Sequence, residues 1–152
     1  MNASERSREH LETCVEVHRL MHKLGSEGMA KYRFVKEEVH EYVSPVKGRY
    51  ARILFDQKVI PGAQCSMGVF RFEPGVVAQA HQHETEVEVY FGLQGEGEVT
   101  IDGEPHRFGP GVAVYVPPKA VHQTRNVGDG ILEFTAFFSP AVSMDFVRDW
   151  ER

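Results

Sequence analysis

From Arg33 onward the sequence is a series of short alternating runs, each stopped by turn-forming residues. "RYARILFD" alternates and ends at Asp56-Gln57, and "CSMGVFRFEPG" alternates and turns at Pro74-Gly75. The stretch from Val87 to Pro118 reads as three strand-like runs, punctuated at Gly95-Glu96-Gly97, Asp102-Gly103 and Gly109-Pro110-Gly111. Asp102-Gly103 is a two-residue hairpin signal, because both residues tolerate the positive φ that such a turn needs. Two further runs flank Val127-Gly128-Asp129-Gly130, while "RFVKEEVHEYV" is ambiguous. Strands this short, with turns this regular, predict an antiparallel sandwich or barrel rather than a parallel sheet with helices.

The segment before these runs has a different period. Leu11, Cys14, Val15, Val17, Leu20, Met21 and Leu24 recur at helical spacing. Asn2 with Glu5 resembles a capping box, and Gly25 is a plausible C-cap. The pattern predicts one amphipathic helix from about Ser4 to Leu24. His18 and His22 share a face of it, but no third ligand lies nearby, so His10, His18 and His22 read as solvated or packing residues. "SMDFVRDWER" predicts a short final helix closing one end.

Composition narrows the classes of function. The 152 residues suit one domain with an adequate core, and 41% hydrophobic with 26% charged residues is ordinary for a soluble globular protein. A net charge of −5, with no lysine/arginine block, argues against nucleic acid as a partner. The N-terminus lacks the apolar core of a signal peptide, and no apolar run approaches the roughly 20 residues that span a bilayer. Cys14 and Cys65 form no CxxC pair, which fits a reducing compartment; the expectation is a cytoplasmic protein without membrane contact.

The chemistry concentrates in "AHQHETEVEVYFG", Ala80 to Gly92. On a strand, His81 and His83 point to the same face. Two imidazoles facing one way are a poor core, since each ring nitrogen needs a partner if buried. A shared metal ion is the economical solution, and one nearby glutamate would complete a two-histidine-one-carboxylate face with open positions.

The run Gly75, His81, His83, Glu88, Gly95 has the spacing of the first motif of the cupin superfamily. Gly111, Pro117, His122 and Asn126 have the spacing of the second. The chain therefore resembles cupins. The one departure is Lys119, where the family pattern has glycine, which puts the backbone of the "PPKAVH" turn in question. The motifs cover Gly75 to Asn126, and flanking strands extend the cupin-like region to about Arg49 to Pro140. The resemblance implies an all-β fold, a double-stranded β-helix or jelly-roll barrel over residues 32–152, with residues 1–31 as a helical extension. It also implies one divalent transition metal (Fe, Mn, Zn or Ni) held by His81, His83, Glu88 and His122. The turn needed after His83 before strand pairing resumes supports Glu88 over Glu84 and Glu86, which read as turn acids, and alternation then places Tyr90 on the same face as Glu88.

Other candidates follow from parity and residue type. Tyr90 could act as a general acid or base, or merely pack. Gln79 has the parity of His81 and could donate to a ligand. Arg49, Arg52 and Arg71 are candidate carboxylate clamps, at least two of them facing solvent, with Arg52 taken as the substrate-binding choice. Cys65 and Met67 could line a pocket or fill the core. His106 is expected to face water, Tyr115 and Phe134 to belong to the core, and Asn126 to fix a turn. The fold alone does not specify a reaction. The favoured reading is a metal-dependent enzyme moving a proton on a small oxygen-rich substrate, as Tyr90 or Glu88 could do in a lyase or isomerase. Cupin lyases, including those cleaving dimethylsulfoniopropionate, are similar in ligand set and size. The alternatives are a metal-dependent dioxygenase and a non-catalytic, metal-containing ligand-binding protein. A homodimer is expected, since cupins commonly dimerise.

Overall fold

The computed structural model describes residues 32–151. The helix expected over Ser4–Leu24, with His10, His18 and His22, lies outside them. The barrel unit begins at Val35. Its nine strands are β1 (Glu41–Val43), β2 (Arg49–Phe55), β3 (Ser66–Phe72), β4 (Val87–Gln94), β5 (Gly97–Ile101), β6 (Glu104–Phe108), β7 (Ala113–Val116), β8 (His122–Asn126) and β9 (Leu132–Ser139), followed by helix α1 (Asp145–Arg148). They form two antiparallel sheets, β1-β2-β3-β9-β4-β7 and β6-β5-β8. The antiparallel arrangement anticipated from the turn pattern and the jelly-roll barrel implied by the resemblance are both present. The Val87–Pro118 stretch holds four strands rather than three. The extra strand is β6, whose residues before Phe108 are all exposed and so show no alternation. Among the described residues, no helix is long and apolar enough to cross a membrane.

The large sheet buries one face of each strand. Leu132, Phe134, Ala136 and Phe138 of β9 point inward, as do Phe70 and Phe72 of β3. Phe134 is the hub of this core: its ring lies 5.7 Å from Phe70, 5.4 Å from Phe72, 5.4 Å from Tyr90 and 5.6 Å from Phe108. Aromatic side chains from both sheets therefore meet at one point, where such offset and edge contacts are favourable. Tyr115, expected in the core, instead lies outside: Val114 and Val116 take the inward parity of β7, which leaves Tyr115 59% exposed.

Two turns position the motif residues. Asp102 and Gly103 both have positive φ, 48° and 89°, the conformation that the hairpin joining β5 to β6 requires. Lys119, at the family's glycine position, also adopts positive φ, 68°. Its backbone N–H donates to the His83 carbonyl at 2.6 Å, so this turn ties the two motifs together.

The closing helix is held by a carboxylate. Asp56, fully buried, accepts from the backbone N–H groups of Lys58, Val59 and Met144 at 3.0, 3.1 and 3.0 Å. Arg148 adds a two-pronged contact at 2.7 and 3.1 Å. Burial pushes the Asp56 carboxyl up, but Arg148 and the backbone donors outweigh it and hold it down, at about 2 against an ordinary 3.8. A depressed carboxyl stabilises the fold above its unfolded pKa, and that stability is lost as pH falls from about 4 through about 2. Asp56→Asn should cost roughly 3–5 kcal/mol in urea melts at pH 7, because it removes the buried charge that Arg148 and three backbone donors share and leaves Arg148 only its longer contact to Asp145, at 3.5 Å. The difference from wild type should shrink as pH drops through the same window. Lys119→Gly should stabilise by about 1 kcal/mol, since glycine carries no Cβ penalty at positive φ; an unchanged or lower melting temperature would show that the lysine is not strained there.

Candidate metal centre

Three chain segments deliver the candidate ligands. Glu88 comes from β4, where register pairs it with Phe138 of β9 and Val116 of β7 and so turns it inward. His122 opens β8 and sits opposite Ile101 of β5. His81 lies on the strand-like segment before β4 and exchanges two backbone hydrogen bonds with His122, at 3.0 and 2.8 Å. The imidazoles converge at one place, tilted or edge-on to one another: ring centroids are 4.2 Å apart for His81 and His122, 5.0 Å for His81 and His83, and 5.3 Å for His83 and His122. One ligand atom from each of His81, His83, Glu88 and His122 falls within 4.8 Å of all the others.

The donor set fits a divalent cation. His81 Nδ1 faces the Gln79 carbonyl at 3.1 Å, and His122 Nδ1 faces the Ala120 carbonyl at 3.0 Å. A backbone acceptor at Nδ1 fixes that nitrogen as the donor and leaves Nε2 directed at the centre. Glu88 Oε2 lies 3.0 Å from His83 Nε2 and 2.9 Å from His122 Nε2. Burial pushes the Glu88 carboxyl up, but hydrogen bonds from His122 and His83 prevail and hold it at about 2. His122 shows the reciprocal effect. Burial pulls it down, yet both its ring nitrogens meet acceptors, Glu88 and the Ala120 carbonyl, and its pKa ends above the ordinary 6.5. His81, exposed at the rim, is pulled down by desolvation and by the neighbouring His122. The centre therefore favours positive charge beside Glu88, supplied here by imidazole protons that a metal ion would displace.

A pocket of about 360 Å³, open mouth included, adjoins this centre. His81, Glu88, Tyr90, Thr124 and Arg49 provide its polar lining, and its wall is mainly phenylalanine, with Phe146 of α1 at one side. Tyr90 is 3% exposed and lines the pocket beside Thr124 and Glu88. Burial and the Glu88 charge raise its pKa well above the usual tyrosine value.

Several sequence-based candidates lie elsewhere. Arg52 does not reach the pocket: it is on the outer face of β2 and donates to the Lys36 and Val39 carbonyls at 2.8 and 2.9 Å. Arg71 shares that outer face and pairs with Glu41 at 3.2 Å. Arg49 points inward, with Ala51 and Ile53; the alternation of "RYARILF" carried that signal. Gln79 is exposed and contributes its backbone carbonyl to His81 rather than its side chain to the pocket. Parity failed there because the bridges Val77–Arg125 and His81–His122 are out of step by one residue. This irregularity lets Ala78 and His81 both face the pocket. Cys65 and Met67 are half-buried away from the pocket. His106 is exposed, and Gln82 occupies Glu84 at 2.9 Å. Asn126 holds the β8–β9 turn, donating to the Phe72 and Gly130 carbonyls and accepting from Gly128 N–H. Thr124 was missed, although it shares the face of His122 two residues on; Phe146 gave no sequence signal.

A family model described as a cupin domain matches residues 68–138. Over 75 residues the chain is 44% identical to dimethylsulfoniopropionate lyase DddW of Ruegeria pomeroyi, a match covering 49% of this chain and 48% of that protein. Over 71 residues it is 34% identical to a glucose-6-phosphate isomerase of Thermococcus kodakarensis, covering 43% of this chain and 38% of that protein. The chain thus spans about half, or less, of the length of these two relatives. Among solved structures, KdgF from Halomonas sp. superposes with a TM-score of 0.63 at 25% identity, over 74% of this chain and 96% of that one. With the motif spacing, the barrel and these likenesses together, residues 68–138 of this chain are a cupin domain.

Proposed function

We propose that this barrel is a divalent-metal-dependent enzyme, a lyase or isomerase, that moves a proton on a small oxygen-rich organic substrate. One observation carries the reading: three imidazoles and one carboxylate converge at the side of an apolar pocket that also holds a buried tyrosine. The names of two relatives, a lyase and an isomerase, support it. His81, His83, Glu88 and His122 would hold the ion. Nitrogen and oxygen donors of this kind suit iron, manganese, zinc or nickel. When bound, the ion would offset the Glu88 charge and act as a Lewis acid toward substrate oxygens.

The chain's own residues supply the rest. The phenylalanine wall excludes water and strengthens every electrostatic interaction inside the pocket. Tyr90 carries its proton at neutral pH, because burial and Glu88 disfavour the phenolate. It therefore stands as a proton donor to an enolate or a departing basic group. Thr124 and Glu88 line the pocket beside it and would orient its hydroxyl, with Glu88 as the acceptor for that proton.

Elemental analysis of the purified protein tests the ligand assignment. His81→Ala and His122→Ala should each abolish metal content, and full retention in both would sink it. Metal affinity should weaken with acid. The His122 pKa is raised from 6.5, so a proton competes with the ion already near neutrality. Below that the apparent Kd should rise by about tenfold per pH unit for each proton displaced; a flat titration between pH 5 and 8 would contradict the assignment. On a substrate turned over by wild type, Tyr90→Phe should lower kcat by about 10²–10⁴-fold with metal content unchanged. An unaltered kcat would leave Tyr90 a packing residue.

A further inference from the structure

Arg49 is a half-buried cation that lines the pocket from β2. Its Nε is buried without a hydrogen-bond partner, and among the described residues its guanidinium makes no ion pair. The group is held by flat faces instead. Its central carbon lies 4.8 Å from the Trp150 ring centroid and 5.5 Å from that of Phe72. Stacking of this kind positions a guanidinium while leaving its donors free. Arg49 lines the pocket that also contains His81, Glu88 and Tyr90, whose other lining residues are mainly phenylalanines. Arg49 is close enough to Glu88 to feel its charge, yet its buried Nε is bonded to no group. An orphaned buried donor in a pocket calls for an explanation, and a planar fork of N–H groups is matched best by a carboxylate.

We propose that Arg49 anchors an anionic oxygen group of the substrate in the pocket beside the His/Glu centre. The pocket then has two positive poles, Arg49 and the His/Glu centre, within one largely phenylalanine lining. The second pole rests on the metal reading above. The complementary ligand is a short molecule with oxygen anions at both ends, a dicarboxylate or an oxo-carboxylate. A substrate with a cationic tail is disfavoured, because that tail would meet Arg49.

Isothermal titration of the full chain tests this, with malonate, neutral malonamide and glycine betaine as probes, before and after chelator treatment. After chelation, wild type should bind malonate at least tenfold more tightly than R49Q. R49K should fall between them, because it keeps the charge without the fork. Malonamide should not bind, and betaine should bind more weakly than malonate. R49M keeps an apolar stem against Phe72 and Trp150, and serves if R49Q fails to fold. If the variants melt earlier but bind malonate as wild type does, Arg49 is only an aromatic-stacked brace for the C-terminal helix, and the proposal is overturned. The two readings fail separately. Arg49-dependent malonate binding in a protein that never holds metal would sink the metalloenzyme alone. A metal-loaded, active protein whose malonate Kd ignores Arg49 would sink this proposal alone.

Discussion

Glu88 is the charge around which this barrel is arranged. It is 3% exposed on the inner face of a strand otherwise facing aromatic side chains. A carboxylate there would cost several kcal/mol if left alone. The imidazoles of His83 and His122 supply the compensation, at 3.0 and 2.9 Å. The arrangement also specifies register. If β4 slipped by one residue against β9, Glu88 would turn outward and leave the imidazoles without an anion, while Val87 and Val89 would enter the centre. Charge pairing and hydrophobic alternation thus select the same alignment.

Two more buried carboxylates show how particular that solution is. Glu98, 4% exposed, lies between Arg125 at 2.7 Å and Arg107 at 3.0 Å, its cross-strand partners on either side. Asp56 is saturated by Arg148 and three backbone donors. Guanidinium partners cannot give up their protons, so those two sites are permanently neutralised. The partners of Glu88 are imidazoles, whose protons can leave, and this is what makes that site, of the three, open to exchange with another cation.

Much of this was legible in the sequence wherever one rule applied without interruption. The Asp102-Gly103 hairpin, the β8–β9 turn and the inward face of β9 follow from turn chemistry and period-two alternation. Motif spacing brought His81, His83, Glu88 and His122 onto one list, and the structure places them within one cluster. The misses share a cause. β6 has no apolar alternation because the residues before Phe108 face water. Gln79 was misjudged because parity does not survive the one-residue offset beside β8. Arg52 and Arg49 differ only in which side of β2 they occupy, and the buried Ala51 and Ile53 decide it. Phe146 joins the pocket through tertiary docking, for which no local pattern exists.

That docking joins distant parts of the chain. Synthesis delivers His81, Glu88 and His122 well before Phe146 and Trp150, one of which walls the pocket while the other stacks on Arg49. The ligand cluster and this side of the pocket are thus built from different parts of the chain. The wall is held in place where the Met144 N–H and Arg148 reach back to Asp56, 88 and 92 residues upstream. A change at Asp56, far from the ligand cluster, would therefore be felt at the pocket through the segment that carries Phe146 and Trp150.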